Sequence, residues 1–385
     1  MKNFQTSCHA EAEGRRRMEN EEWLARLSAA RGGLSDVLYA MYSSLTGGIT
    51  TDPALMSVPA DDHLTHRGDG VFESLKCVDG SLYNVSAHLK RLGHSCEGIG
   101  MARPCPQAEL EQIVCDTVRA GGRRDCLVRI LVSRGTGNMG IDPAQCEGPA
   151  LYVVVYRYTA RIQDGQLKPA RVALSTVPIK PPELATIKTC NYLPNVLMKL
   201  ETNRRGLDFV ISVDDNGNLG EGATENVGIL TQDNELLMPT PEHVLAGTTA
   251  LRALELAQQL VADGTLKAAE YRDISLKQAE QAKEIFIFGT TTDVTPVIEW
   301  EGRPVGDGVP GPVAGKLLNL LTHDMTPKSD TLTEVTGFRG QESGVRSQES
   351  GFRGQESGSR NRESGIESQE SKVRKQETDN GCPEC

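Results

Sequence analysis

The sequence predicts an α+β fold of two strand-rich halves, and three features carry that expectation. Apolar stretches of strand length are mixed with helical patterns, without the regular strand–helix–strand alternation of a doubly wound sheet. A polar stretch between Tyr158 and Lys168 separates the halves. From Gly337 the chain passes into a seven-residue repeat, Gly337-Phe338-Arg339-Gly340-Gln341-Glu342-Ser343 followed by Gly344-Val345-Arg346-Ser347-Gln348-Glu349-Ser350 and onward to Thr378. Each unit offers at most one apolar residue, whereas a coiled-coil seam needs two. The tail is therefore expected to be disordered, with no part in catalysis.

The expected organisation is an N-terminal helical extension over 1–46, a small α+β domain over 47–160, a larger domain over 161–326 and the tail over 327–385. Arg15 to Arg31 is charged and helix-prone around Trp23, Leu24 and Leu27, and a second short helix is expected near Leu34 to Met41. In the first half, strands are expected over Gly70 to Val78, Leu127 to Ser133 and Leu151 to Tyr156, with helices around Ser86 to Leu92 and Gln107 to Ala120. In the second, strands are expected over Val172 to Val177, Phe209 to Val213, Val227 to Leu230 and Ile285 to Phe288. Its helices run from about Tyr192 to Arg205 and from Thr249 to Val261, the latter with Leu251, Leu254, Ala257 and Val261 along one face.

Composition bounds the function. The 385 residues carry a net charge of −11, which argues against nucleic acid or an anionic membrane as the main partner. No apolar run approaches membrane-spanning length. Met1 to Arg17 contains no hydrophobic signal core, so a cytoplasmic location is expected. The ten cysteines are scattered and read as reduced thiols, and the lone Cys382/Cys385 pair does not suggest a metal site.

The chemistry concentrates around Lys188 in Thr186-Ile187-Lys188-Thr189-Cys190-Asn191-Tyr192. Alone, such a lysine reads as a solvated surface residue. Tyr192 follows one helical turn on, and Glu221 stands among glycines in Asn218-Leu219-Gly220-Glu221-Gly222-Ala223-Thr224-Glu225-Asn226. That set suits an aldehyde cofactor: the amine forms the Schiff base, the phenol bonds the ring oxygen, and the carboxylate keeps a pyridine nitrogen protonated. Two segments could cradle a phosphate. Gly247-Thr248-Thr249 leads into a helix, and Gly289-Thr290 ends an apolar strand. Each alone reads as an ordinary cap or turn. Arg91, in His88-Leu89-Lys90-Arg91-Leu92, could pair bidentately with the same phosphate, or stand as a solvated helix arginine.

In this order the motifs resemble the class IV (fold type IV) pyridoxal-phosphate aminotransferases, the group of branched-chain aminotransferases, D-amino acid aminotransferases and aminodeoxychorismate lyases. The stretches that carry it are His66-Arg67-Gly68-Asp69-Gly70-Val71-Phe72-Glu73, His88 to Leu92, Lys188 to Asn191, Glu221 to Asn226, Gly247-Thr248-Thr249, and Gly289-Thr290 through Thr295-Pro296-Val297. The resemblance covers about Gly47 to Met325 and implies a two-domain fold type IV architecture, pyridoxal 5′-phosphate as cofactor and a homodimer. Lys188 then matches the Schiff-base lysine and Glu221 the partner of the pyridine nitrogen. Tyr192 matches a cofactor-side tyrosine, and Arg91, Thr248, Thr249, Gly289 and Thr290 match phosphate contacts. Lys188, as a neutral amine, can carry a proton between the substrate α-carbon and the cofactor.

The substrate end is less determined. Alternation over Leu127 to Leu131 puts Arg129 on an otherwise apolar face, where it needs an anion, either a substrate carboxylate or a structural ion-pair partner. Arg67 and Phe72 are further candidate substrate contacts. Arg67 stands where branched-chain enzymes usually carry tyrosine. The loop Gly135 to Gly140 lacks the arginine common in D-amino acid enzymes and lyases, while the run Asn191 to Leu197 resembles plant-type D-amino acid transaminases. The same loop fits G-x-G-x-x-G, but Ile141-Asp142-Pro143 follows in place of the helix a dinucleotide site requires.

The expected function is transamination of a branched-chain or D-amino acid with a 2-oxo acid acceptor. The alternatives are an aminodeoxychorismate lyase releasing pyruvate and p-aminobenzoate, and a non-catalytic cofactor-binding or interaction protein.

Overall fold

The computed structural model describes residues 16–159, 162–163, 166–326 and 329–338. The first fifteen residues, most of the heptad repeats and the Cys382/Cys385 pair lie outside the described residues.

Helix α1 (Asn20–Arg31) and a 3-10 turn at Gly32–Leu34 lead into β1 (Leu38–Ser43) and β2 (Gly48–Thr50). The short helix expected near Leu34 to Met41 is therefore a strand, and the body begins at Leu38 rather than Gly47. Leu34, Val37, Leu38 and Met41 do have helical spacing. What overrides it is pairing: β1 lies antiparallel to the strand Ala150–Tyr156, with Met41 opposite Val154, and its tyrosines suit a pleated surface.

Next come α2 (His63–Arg67), β3 (Gly70–Val78), β4 (Ser81–Tyr83), α3 (Val85–Gly98), α4 (Gln107–Gly121), β5 (Cys126–Ser133) and β6 (Ala150–Tyr156). Asp62 caps α2 by accepting from the Leu64 N–H, and Gly68 ends it at φ 67°, a conformation natural to glycine. The interval expected as a linker holds a short antiparallel hairpin, β7 (Ile162–Gln163) with β8 (Gln166–Leu167).

The second half runs β9 (Ala170–Leu174), α5 (Pro182–Ala185), α6 (Leu193–Arg205), β10 (Phe209–Ile211), β11 (Asn226–Leu230), β12 (Glu235–Met238), α7 (Thr248–Ala262) and β13 (Ala268–Tyr271). It continues through α8 (Leu276–Glu280), β14 (Glu284–Gly289), β15 (Asp293–Trp300), β16 (Arg303–Pro304), α9 (Pro312–Asp324) and β17 (Leu332–Glu334).

Two sheets result. The first has the order β17-β4-β3-β5-β6-β1-β2 and is antiparallel throughout. Its edge strand β17 comes from residues the composition had assigned to the tail. The second sheet has the order β10-β9-β15-β14-β11-β12-β13, with β16 beside β15, and mixes parallel and antiparallel pairs.

Alternation decides which face each sheet buries. Val128, Ile130 and Val132 turn toward α3 and α4 and form one core with Leu89, Leu92, Val114 and Val118. Each such side chain contributes roughly 1.5–3 kcal/mol on full burial. Arg129 is left on the opposite face, beside Phe72. In the second sheet, Phe286 and Phe288 pack under α7 and α9, while Ile285 and Ile287 fill a core on the other side. Lys76 of β3 reaches Asp293 of β15 at 2.5 Å and so joins the two sheets, and Tyr83 of β4 donates to Asp324 at the end of α9 at 2.7 Å.

Candidate functional site

Lys188 lies in extended chain between α5 and α6. Its N–H donates to Ser95 Oγ (3.2 Å) and its carbonyl accepts from the Phe72 N–H (3.0 Å), while the Cys190 N–H reaches the Gly70 carbonyl (2.8 Å). The segment thus pairs with β3 through an isolated antiparallel bridge, Thr189 opposite Val71. The helical relation expected between Lys188 and Tyr192 is not realised, since Tyr192 is the residue before α6. Their side chains meet by another route, because both face Phe72. The Lys188 ammonium sits 4.7 Å from the Phe72 ring centre and 5.9 Å from that of Tyr192, and the two rings meet edge to face at 5.0 Å.

Lys188 is 9% exposed, and its Nζ has no ion-pair partner among the described residues. Burial, reinforced by the nearby Arg91 charge, pushes the amine down to about 8, while Glu73 and Glu221 oppose the shift. About a tenth of the amine is therefore neutral at pH 7. Burial also pushes the Tyr192 phenol above its ordinary value, with Glu221 and Glu225 adding to the effect.

Arg91 does not stand free. Its Nε and Nη2 grip the two oxygens of Glu73 at 2.7 and 2.8 Å, and its Nη1 donates to the Ala246 carbonyl at 2.8 Å. Glu73, fully buried, also accepts from His88 Nδ1 at 2.7 Å. Burial would raise this carboxyl, but Arg91 and then His88 outweigh it and hold Glu73 well below the usual range. His88 is itself kept low by burial. With its Nδ1 proton given to Glu73, its Nε2 is the acceptor for the Thr248 hydroxyl at 3.2 Å. The sequence reading had reserved the Arg91 fork and the Thr248 hydroxyl for phosphate. The fork is engaged by Glu73 and the hydroxyl proton by His88, leaving the two outer guanidinium hydrogens of Arg91.

Beside those two hydrogens, an anion would meet backbone donors. The N–H groups of Thr248, Thr249 and Ala250 have no acceptor among the described residues, and no side chain caps α7. An uncapped helix start favours a phosphate through both donors and dipole. A Cβ on Gly247 would collide with Asn226 Oδ1, so this approach requires glycine.

Glu221 is 7% exposed. Its Oε2 accepts from the Leu245 N–H (3.0 Å) and its Oε1 faces Lys180 Nζ (3.2 Å). Its own N–H donates to Ser212 Oγ (3.1 Å), and that hydroxyl donates back to the Glu221 carbonyl (2.9 Å). Gly289 lies against the same loop, 3.8 Å from Glu225 Cγ measured from the Cβ it lacks. Beyond it, at this strand end, the buried hydroxyl without a partner among the described residues belongs to Thr292, not to the half-buried Thr290 that the sequence singled out.

These features fit pyridoxal phosphate. A buried amine without an acid partner, a carboxylate with an oxygen turned to a cation, and an uncapped helix start match its aldehyde, ring nitrogen and phosphate.

At the substrate end, Arg129 has no carboxylate partner among the described residues, so the structural ion pair weighed above is absent. Its Nη2 reaches the Tyr156 hydroxyl at 3.3 Å, its buried Nε has no partner among the described residues, and its guanidinium lies 4.8 Å from the Phe72 ring centre. Arg67 is exposed and donates to the carbonyls of Met139 (2.6 Å) and Gly140 (3.1 Å), clamping the Gly135–Gly140 loop. A cleft of about 660 Å³ runs beside the lysine segment, past Arg67, Asp69, Gly70, Lys180 and Thr189. Lys188 itself stands next to that cleft rather than in its wall.

Sequence reasoning missed Glu73, Ser95, Lys180 and Glu225 as members of this cluster. Only Glu225 had a local signal, four residues after Glu221. The others arrive from distant elements.

A family model described as Amino-transferase class IV matches residues 70–300. The chain is 40% identical over 301 residues to the D-amino-acid transaminase, chloroplastic, of Arabidopsis thaliana, covering 78% of this chain and 79% of that protein. It is 29% identical over 256 residues to a putative branched-chain-amino-acid aminotransferase of Methanocaldococcus jannaschii, covering 66% and 87%. Among solved structures, a T.th. branched-chain amino acid aminotransferase with pyridoxamine 5′-phosphate shares the fold at a TM-score of 0.71 and 24% identity, over 77% of this chain and 99% of that one.

Proposed function

The chain belongs to the class IV amino-transferase family, and from that premise we propose that it is a pyridoxal-phosphate enzyme transferring an amino group from a D-amino acid to a 2-oxo acid. The observation that carries the reading is the Lys188 amine: buried, pushed down to about 8, and free of any acidic partner among the described residues. When bound, the cofactor supplies an aldehyde that captures amines and a ring that delocalises the electrons left by a departing α-proton.

The chain's own residues do the rest. Lys188, as a neutral amine, takes the proton from the substrate α-carbon and returns it on the other side of the reaction. Glu221 holds a proton on the ring nitrogen. The N–H groups at the start of α7, with the outer hydrogens of Arg91, hold the phosphate. Thr249, Gly289 and Thr290 line its surroundings in this proposal. Phe72 and Tyr192 keep water from the amine. Arg129, which has no carboxylate partner among the described residues, receives the substrate α-carboxylate.

The 40% identity to a D-amino-acid transaminase, against 29% and lower to branched-chain enzymes, favours the D-amino acid branch. A homodimer and a cytoplasmic location are part of the proposal. Leu193, Val196, Leu197 and Leu200 form an exposed apolar row on α6 that suits a second copy of the chain. No helix among the described residues is long and apolar enough to cross a membrane.

A panel of D- and L-amino acids against 2-oxoglutarate and pyruvate tests this reading. D-amino acids should be the better donors. Turnover of L-branched-chain donors alone would overturn the substrate assignment. Release of pyruvate from aminodeoxychorismate without any keto acid would replace transamination with the lyase reaction.

A further inference from the structure

Helix α3 turns one face toward both ends of the candidate site. His88, Arg91 and Ser95 are spaced three and then four residues apart, so they line up along about two turns of that helix. His88 Nε2 accepts from the Thr248 hydroxyl at 3.2 Å, and Arg91 Nη1 donates to the Ala246 carbonyl at 2.8 Å. This part of the face is tied to the start of α7. Ser95 Oγ accepts from the Lys188 N–H at 3.2 Å, so the next turn of the same face is tied to the lysine segment.

The contact at Ser95 is closely packed. Ser95 has no solvent exposure, and Lys188 is 9% exposed. One turn further on, a Cβ added to Gly98 would come within 2.7 Å of Ile187 Cδ1, so α3 also lies hard against the residue before the lysine. On the other side, the Lys188 carbonyl accepts from the Phe72 N–H at 3.0 Å, and the Lys188 ammonium lies 4.7 Å from the Phe72 ring centre. The lysine backbone is therefore gripped between α3 and β3, with its N–H on one and its carbonyl on the other. Without the Ser95 hydroxyl, the buried N–H keeps no acceptor among the described residues. A buried donor left unmade is costly, so the segment would shift or admit water.

We propose that Ser95 is a positioning residue for the Lys188 amine, through which α3 holds the lysine at a fixed place relative to the start of α7. The link to α7 matters for the pyridoxal-phosphate reading above and rests on it, whereas the hold on Lys188 does not. The consequence falls on the amine. Burial is the chief cause that pushes it down to about 8, and burial depends on where the backbone is pinned. A segment released at Ser95 lets water reach the amine, whose pKa then moves back toward the ordinary lysine value.

The test compares wild type, Ser95→Ala, Ser95→Thr and Val85→Ala. The last thins the same core at the other end of α3 and controls for lost packing. Competitive labelling of the cofactor-stripped proteins with trace acetic anhydride from pH 6 to 10, read on the Lys188 peptide by mass, gives the amine's midpoint without any cofactor. Ser95→Ala should raise that midpoint by about half a pH unit or more, and capture of pyridoxal phosphate at pH 7 should slow by about threefold or more. Val85→Ala should leave the midpoint in place, and Ser95→Thr, which keeps the hydroxyl, should restore it. A midpoint in Ser95→Ala equal to that of Val85→Ala, or one moved as far by Ser95→Thr as by Ser95→Ala, would overturn the proposal. Absence of a reducible adduct on Lys188 in wild type would sink the cofactor reading instead, while the labelling midpoints would still decide the role of Ser95.

Discussion

Arg91 and Glu73 form a two-pronged ion pair, Nε to Oε1 at 2.7 Å and Nη2 to Oε2 at 2.8 Å, on a carboxylate with no solvent exposure. The pair fixes where the Arg91 charge sits relative to Lys188. Breaking a buried pair by removing one partner's charge costs about 3–5 kcal/mol. Glu73→Gln should lower stability by that order, read as a lower urea midpoint with unchanged slope. It should also lower the Lys188 pKa, because Glu73 is one of the two carboxylates that hold it up. An unchanged midpoint would remove the pair from the account.

Cofactor capture should depend on pH through Lys188. Its pKa is pushed down to about 8 by burial and Arg91, and only the neutral amine attacks an aldehyde. The capture rate by cofactor-stripped protein should therefore rise about tenfold per pH unit below that value and level off above it. For stability the sign is the same: a lysine depressed on folding binds fewer protons folded than unfolded. Its contribution therefore improves as pH rises from about 8 toward its ordinary value. A capture rate flat between pH 6 and 8 would contradict the shift.

Gly247→Ala and Thr248→Val separate backbone from hydroxyl in the phosphate cradle. The alanine Cβ would collide with Asn226 Oδ1 and force apart the bond from Asn226 Nδ2 to the Leu245 carbonyl, 2.8 Å long. Binding of pyridoxal phosphate should weaken by roughly tenfold or more, with pyridoxal itself much less affected. Thr248→Val leaves His88 Nε2 without its donor and should cost about 1–3 kcal/mol of stability. Cofactor affinity should change little, since the Thr248 N–H remains. The reverse pattern, measured by fluorescence titration of both variants, would return the hydroxyl to the phosphate.

The strands legible in the sequence were those with a run of apolar or alternating residues, such as Cys126–Ser133 and Glu284–Gly289. Leu38–Ser43 was not, because its spacing fits a helix equally well and only its pairing with Ala150–Tyr156 settles the matter. Leu332–Glu334 was hidden for a similar reason: three residues become a strand only beside Ser81–Tyr83. In the candidate site, Lys188 and Glu221 could be picked out from local glycine and aromatic context. Glu73 could not, since its partner Arg91 lies on another element, nor could Lys180, which approaches Glu221 from 41 positions earlier in the chain. Motif reading put these residues forward as candidates but could not say which of their donors are engaged by neighbours.

The most direct measurement is borohydride reduction of the protein incubated with pyridoxal phosphate, followed by peptide mass mapping. The account predicts a single label on the peptide containing Lys188, and none there in Lys188→Ala, which should also be inactive. A label spread over exposed lysines with Lys188 unmodified, or full activity in Lys188→Ala, would contradict it.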